Sequence, residues 1–139
     1  MRKGVHVQYD IEYHIVWMTK YRYRVLEGRI AERTRELIRQ SCNSMNVTII
    51  KGTIGKEHIH LLISCQPRLS VSKIVQQLKR KSFRTLKMEF KELKKDIGVS
   101  TYGKMDFFCR SVGTVTKEII KDYIENQTDE YYENFKIIY

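Results

Sequence analysis

Proline occurs once in this chain of 139 residues and glycine seven times. That is too little of either for a flexible linker, so nothing in the composition divides the chain. Residues 1–139 are expected to form a single domain, a length that buries one sizeable core. Cysteine is scarce as well: Cys42, Cys65 and Cys109 are far apart, odd in number and without a C-x-x-C spacing, which argues against a disulfide framework or a thiolate zinc site. They are expected to pack as small apolar side chains. No run of eighteen apolar residues exists and Met1 to His6 lack the apolar stretch of a signal peptide, so membrane spanning and secretion are disfavoured and a cytoplasmic protein is expected. The phosphate loop G-x-x-x-x-G-K-[ST], the dinucleotide fingerprint G-x-G-x-x-G and the nucleophile elbow G-x-S-x-G are all missing.

Acidic residues are outnumbered. Against 16 Asp and Glu stand 26 Lys and Arg, a formal charge of +10, so the natural partner is a polyanion, nucleic acid ahead of a membrane surface. The excess is concentrated. Residues 68–95 carry ten basic and two acidic side chains, whereas residues 118–139 carry two basic and six acidic. Lys79, Arg80, Lys81 and Arg84 lie in the first block and suit phosphates. A second cluster, Lys20-Tyr21-Arg22-Tyr23-Arg24, interleaves cations with aromatics on which bases can stack. The bland alternatives are a solvated helix face for the block and half-buried packing for Tyr21 or Tyr23.

Val7, Tyr9, Ile11, Tyr13, Ile15 and Trp17 alternate with polar residues, which predicts a strand over 6–18. Ile30, Arg33, Leu37, Ile38 and Cys42 recur at helical spacing and predict an amphipathic helix over 28–45, ended by Asn46. Val47 to Ile54 and Glu57 to Cys65 are apolar or β-branched runs that read as a hairpin around Gly55-Lys56. Ser70 is a candidate N-cap for a helix through Val71, Ile74, Val75 and Leu78. The apolar series resumes at Phe83 after a five-residue step, which implies a bend or break near Lys81. A loop over 98–103, a short strand over 107–112 and a helix over 116–127 complete the order β α β β α β α. Its simplest architecture is an α+β sandwich of ferredoxin-like type, a mostly antiparallel central sheet with helices packed on it.

Two constellations can carry chemistry. His58-Ile59-His60 lies in a predicted strand, where residues i and i+2 share a face about 7 Å apart, near enough for two imidazoles to meet one cation. The pattern equally fits two histidines on the solvent face of a half-buried strand. His6 and His14 share a face of the first strand but are too far apart to bind one ion together. In the predicted last helix, Ile119, Ile120, Tyr123, Ile124 and Gln127 fall within an arc of roughly 140°, with Tyr123 and Gln127 inside it. Gln127 is then either buried and hydrogen-bonded or part of a site that uses an amide oxygen beside a phenol.

Taken in order, His14-Ile15-Val16-Trp17, Lys20 to Leu26, His58-Ile59-His60-Leu61-Leu62, Ile74 to Ser82, Ser111-Val112-Gly113 and Tyr123-Ile124-Glu125-Asn126-Gln127 resemble the single-tyrosine HUH transposases of the insertion sequence 200/605 type. The resemblance spans nearly the whole chain. It implies an HUH endonuclease-like fold and a DNA transposase that cuts and rejoins single-stranded DNA at imperfect hairpins near element ends. It further implies Tyr123 as nucleophile, a 5′-phosphotyrosine intermediate, and His58, His60 and Gln127 as ligands of Mg²⁺ or Mn²⁺. Members of the family are homodimers in which the tyrosine helix can complete the partner subunit's site. Two departures stand out: Glu57 replaces the Asp common before the histidines, and Met18-Thr19 replaces Cys-Pro after the Trp. Glu57 is expected to point away from His58. The alternatives kept beside this reading are a non-catalytic single-stranded nucleic-acid-binding module and a domesticated hairpin-nicking endonuclease.

Overall fold

A computed structural model of the chain describes residues 11–93, 108–111 and 135–138. The first alternating segment forms β1 (Ile11–Met18), and the remainder of the strand expected from residue 6 lies outside the described residues. The amphipathic segment forms α1 (Gly28–Ser44), the hairpin forms β2 (Thr48–Ile54) and β3 (His58–Cys65), and the next helix is α2 (Val71–Leu78). A π turn over Lys79–Phe83 leads into α3 (Arg84–Glu89), and the expected late strand is β4 (Phe108–Ser111). A last strand, β5 (Phe135–Ile137), was not expected from the sequence, because three residues are too few to show a period. The helix expected over 116–127 lies outside the described residues.

The five strands lie in the order β4-β1-β3-β2-β5. β1 pairs antiparallel with β3 and β4, and β2 pairs antiparallel with β3. This is the split βαβ arrangement of a ferredoxin-like α+β fold, to which β5 adds a parallel strand on the outer edge of β2. Gly52 makes that addition possible. A Cβ there would stand 2.7 Å from the Phe135 ring, so the absence of a side chain lets Phe135 reach the core, where it is fully buried.

One face of the sheet takes the helices. Ile15 and Trp17 of β1 and Ile59, Leu61 and Ile63 of β3 join Leu37 and Ile38 of α1, Ile74 and Leu78 of α2, and Phe83 and Leu86 in a single apolar cluster. Cys42 and Cys65 sit in it as small apolar side chains, and burial pushes the Cys42 thiol up to about 12. α1 ends where its sequence says it should. Asn46 adopts the left-handed conformation (φ 60°), its N–H bonds to Asn43 O at 3.1 Å, and Val47 N–H reaches back to Cys42 O at 2.8 Å, the paired bonds of a Schellman motif. Ser70 caps α2, its hydroxyl accepting from Lys73 N–H at 3.2 Å.

The five-residue step is resolved by a π turn rather than by a break. One turn of i→i+5 hydrogen bonding advances the chain by the spacing between Leu78 and Phe83, so both remain on the core side. Phe83 then meets Trp17 edge to face, with centroids 5.6 Å apart at 82°. Ser82, buried in the same turn, faces Ser41 of α1 with the hydroxyl oxygens 3.1 Å apart. Arg33 of α1 donates two hydrogen bonds to the Glu89 carboxylate of α3 at 2.8 and 2.9 Å, pinning the far end of the helix pair.

If the π turn exists to keep Phe83 against Trp17, Phe83→Ala lowers the unfolding free energy by about 3–5 kcal/mol in urea titrations, while Lys81→Ala in the same turn changes it by less than about 0.5 kcal/mol.

Candidate active site

Pleating sends alternate residues of β3 to opposite sides. Ile59, Leu61 and Ile63 enter the helix-covered core with no exposed surface, which forces His58 and His60 onto the other face together. Their ring centroids are 4.8 Å apart at 81°. This second face is not a wet one. His60 is 8% exposed, Leu62 and Thr53 are fully buried, and His14, Ser64, Lys51 and Lys136 are all below a tenth. The alternative of two solvent-facing histidines is therefore excluded for His60, whereas the His58 side chain is 29% exposed.

Gly55 sets the position of His58. In the tight turn before β3, Gly55 N–H donates to His58 O at 2.8 Å, and a Cβ on residue 55 would fall 2.6 Å from the His58 ring. The ring lies in the space that a side chain would fill. Glu57, expected to point away, instead brings Oε1 to 3.6 Å from His58 Nδ1. It occupies the bend before the strand begins, so strand alternation does not govern its direction.

His60 has a neighbour that sequence spacing did not show. Cross-strand register sets Val16 opposite His60, and His14 one step along the same face of β1. His14 Nε2 lies 3.4 Å from His60 Nδ1, at the outer limit of a hydrogen bond, with ring centroids 5.5 Å apart and planes 18° from parallel. A centroid separation so much longer than the nitrogen–nitrogen distance means that the rings meet edge to edge, near one plane, rather than face over face. One nitrogen must carry a proton and the other a lone pair. Burial lowers the pKa of His14, and burial, then the charges of His58 and His14, push His60 down to about 4, so both are neutral near pH 7. On the other side of His60, Thr53 is its cross-strand partner, and Thr53 Oγ1 has no hydrogen-bond partner among the described residues.

The expected DNA-contacting residues form two groups. Lys20, Arg22 and Arg24 belong to the segment that leaves β1 beside the His58 turn: Thr19 N–H donates to Glu57 O at 2.9 Å and Leu26 N–H to Lys56 O at 2.9 Å. Tyr21 is 75% exposed, which rules out half-buried packing for it, whereas Tyr23, 38% exposed, is partly covered. Lys79, Arg80, Lys81 and Arg84 are exposed on the helix layer, across the sheet from the histidines. Tyr123 and Gln127 lie outside the described residues. Among the described residues no group of three or more His, Cys, Asp or Glu side chains is arranged to hold a metal ion. No helix among them is long and apolar enough to cross a membrane.

Residues 7–127 match the family described as "Transposase IS200 like". The chain belongs to that family. The ISDra2 transposase TnpA of Deinococcus radiodurans is 29% identical over 130 residues, which cover 94% of this chain and 93% of that protein. The transposase of insertion sequence element IS200 from Salmonella typhimurium is 34% identical over 129 residues, 90% of this chain and 82% of its own. A crystal structure from Deinococcus radiodurans, described as that of a transposase, superposes with a TM-score of 0.69 at 28% identity, covering 91% of this chain and 98% of its own. A REP-associated tyrosine transposase bound to a REP hairpin shares the fold, with a TM-score of 0.55 at 10% identity, covering 90% of this chain and 69% of its own.

In this IS200-like transposase the buried Thr53 hydroxyl is a cost to the fold, since its desolvation is not offset by a hydrogen bond among the described residues. Thr53→Val, nearly equal in volume, is expected to stabilise the protein by about 1 kcal/mol and raise Tm by a few degrees in calorimetry.

Proposed function

We propose that this transposase cleaves and rejoins single-stranded DNA at hairpin-marked ends through a 5′-phosphotyrosine on Tyr123, acting in the cytoplasm as a homodimer. The observation that carries the reading is the pair of converging histidines, His58 and His60, on a buried polar sheet face in a chain of this family. The REP-associated relative, alike in fold and bound to a hairpin, supports the substrate class.

The donor set fits a divalent cation. His60 is held neutral, which keeps a lone pair available, and an unpartnered hydroxyl lies across the strand from it. Two imidazoles with the amide oxygen of Gln127 and no thiolate suit Mg²⁺ or Mn²⁺ above structural zinc. Such an ion supplies Lewis-acid stabilisation of the charge on the phosphate oxygens. The edge contact between His14 and His60 accommodates the tautomer that a metal ligand needs: with the proton on His60 Nδ1, donated to His14 Nε2, His60 Nε2 keeps the lone pair.

Tyr123 and Gln127 are four residues apart, one turn of the helix that the sequence predicts over 116–127, so on that expectation a phosphate beside Gln127 would also be near the Tyr123 hydroxyl. A phenol with a pKa of about 10 is only about one part in a thousand ionised at neutral pH, so attack requires a polarised phosphate. The phenolic oxygen attacks phosphorus, the bond from phosphorus to the 3′ oxygen breaks, and that oxygen leaves and takes up a proton as the phenol loses its own. The new ester retains the phosphodiester energy. A 3′-OH of another strand can then attack it, release Tyr123 and reseal the DNA without ATP.

Labelled hairpin DNA with a single-stranded flank, incubated with Mg²⁺ or Mn²⁺, is expected to give a covalent adduct on a denaturing gel that disappears in Tyr123→Phe. An undiminished adduct in that variant, or none with any element-end substrate, sinks the proposal. Joining of two different ends distinguishes a transposase from a nicking enzyme. His14→Leu is expected to weaken metal binding about 10- to 100-fold in calorimetric titration. In binding assays, Lys79→Ala with Arg84→Ala should reduce the slope of log affinity against log salt by about 2, if both contact phosphates.

A further inference from the structure

Between β1 and α1 the chain makes a turn that its own packing does not explain. Tyr21 (φ 53°, ψ 22°) and Arg22 (φ 57°) are consecutive non-glycine residues in the left-handed region, a conformation that L side chains rarely adopt singly and more rarely in pairs. Strain of this kind persists only where the surroundings fix it. Burial of Tyr21 is not the reason for the turn, since its ring is 75% exposed.

What holds the turn is Thr19. Its side chain is buried, its hydroxyl donates to Tyr23 O at 2.6 Å, and its carbonyl accepts from Arg22 N–H at 3.0 Å. Its own N–H is bonded to Glu57 O, and at the other end the buried Leu26 is bonded to Lys56 O. Both ends are thus fastened to the two residues that precede His58, and β1 register sets Met18 directly opposite His58. The strained segment is a rigid appendage of the histidine-bearing hairpin rather than a loose loop.

Its product is a corner of two aromatic rings. Tyr21 and Tyr23 stand at 89° with centroids 6.0 Å apart, and Lys20 Nζ lies 5.2 Å from the Tyr21 centroid. Arg22 and Arg24 are exposed beside them. A flat heteroaromatic ring lying on Tyr21 meets Tyr23 with its edge, and the guanidinium groups meet an adjoining phosphate. A base within a duplex has both faces covered by its neighbours, so only an unpaired nucleotide fits.

We infer that the Tyr21–Tyr23 corner is a stacking site for an unpaired base of the DNA strand, next to the nucleotide whose phosphate lies against His58 and His60. The inference rests on the proposed single-strand activity and adds to it a base-binding position set by backbone strain.

The test places 2-aminopurine at successive positions of the single-stranded flank and in the stem of a hairpin oligonucleotide. The expected result is strong quenching at one or two flank positions with the wild type, relieved in Tyr21→Ala. Tyr21→Phe and Tyr21→Trp retain it, because the ring face and not the hydroxyl makes the contact. Tyr21→Ala should weaken binding of the flanked hairpin about 5- to 150-fold, the size of one lost base–aromatic stack, and leave binding of the flankless hairpin unchanged. Thr19→Val loses the hydroxyl that donates to Tyr23 O at 2.6 Å and also lies 3.3 Å from Glu57 O, but keeps the Thr19 N–H bond to Glu57 O, so it should blur the quenched position while metal affinity stays the same. Quenching that is unchanged in Tyr21→Ala, an equal loss with Tyr21→Phe, or an equal loss for the flankless hairpin overturns the inference. Normal adduct formation on Tyr123 beside any of these results leaves the proposed function standing. Absence of the wild-type adduct, with the quenching pattern intact, removes catalysis and leaves a base-stacking protein.

Discussion

The pleat of β3 is the constraint on which the site depends. β3 is paired on both sides, so it has no free edge, and every second side chain is committed to the helix-covered core. Ile59, Leu61 and Ile63 are fully buried there, and a slip of one residue would drive His58 and His60 into apolar packing. Core burial therefore holds the imidazoles in register. No loop sets their spacing, and a pair proposed to hold one ion needs a spacing fixed to within a fraction of an ångström.

The same logic explains what could be read from the chain in advance. A strand period of two is local and fixed, so the shared face of His58 and His60 and the core role of Ile59 were visible in the sequence. The interrupted helical period at Leu78–Phe83 was visible too, but not its form: a π turn differs from a break only in whether the next apolar residue returns to the core, and that depends on Trp17. His14 stayed hidden because its partner is 46 positions away, and register between β1 and β3 is not written in either strand alone. Gly55 reads as a turn residue, yet its lack of a side chain serves the His58 ring. β5 is three residues that gain their meaning only from the space left by Gly52.

The basic side chains form two groups that composition could not place. The cations of Lys79 to Arg84 project from the helix layer, whereas Lys20, Arg22 and Arg24 flank the histidine turn. On the proposed function, the first group would hold the backbone of the DNA and the second would lie near the strand that reaches the histidines.

The histidine face is unusual in being both buried and polar. A sheet face freed from the solvent gains most when it is apolar, yet here His14, His60, Thr53 and Ser64 replace aliphatic side chains. Thr53, with no partner among the described residues, is the plainest sacrifice of stability. Such a surface returns little to the fold; on the proposed function it would serve a reaction on a phosphate, because dipoles fixed in a dry site need not reorganise as charge develops. A buried neutral His60 is the clearest example. In water it would spend part of its time protonated and unable to donate a lone pair, whereas desolvation and its two histidine neighbours hold it neutral. The strain at Tyr21 and Arg22 belongs to the same pattern: both departures from local preference converge on the end of the sheet that carries His58, and the apolar face of β3 supplies the stability that tolerates them.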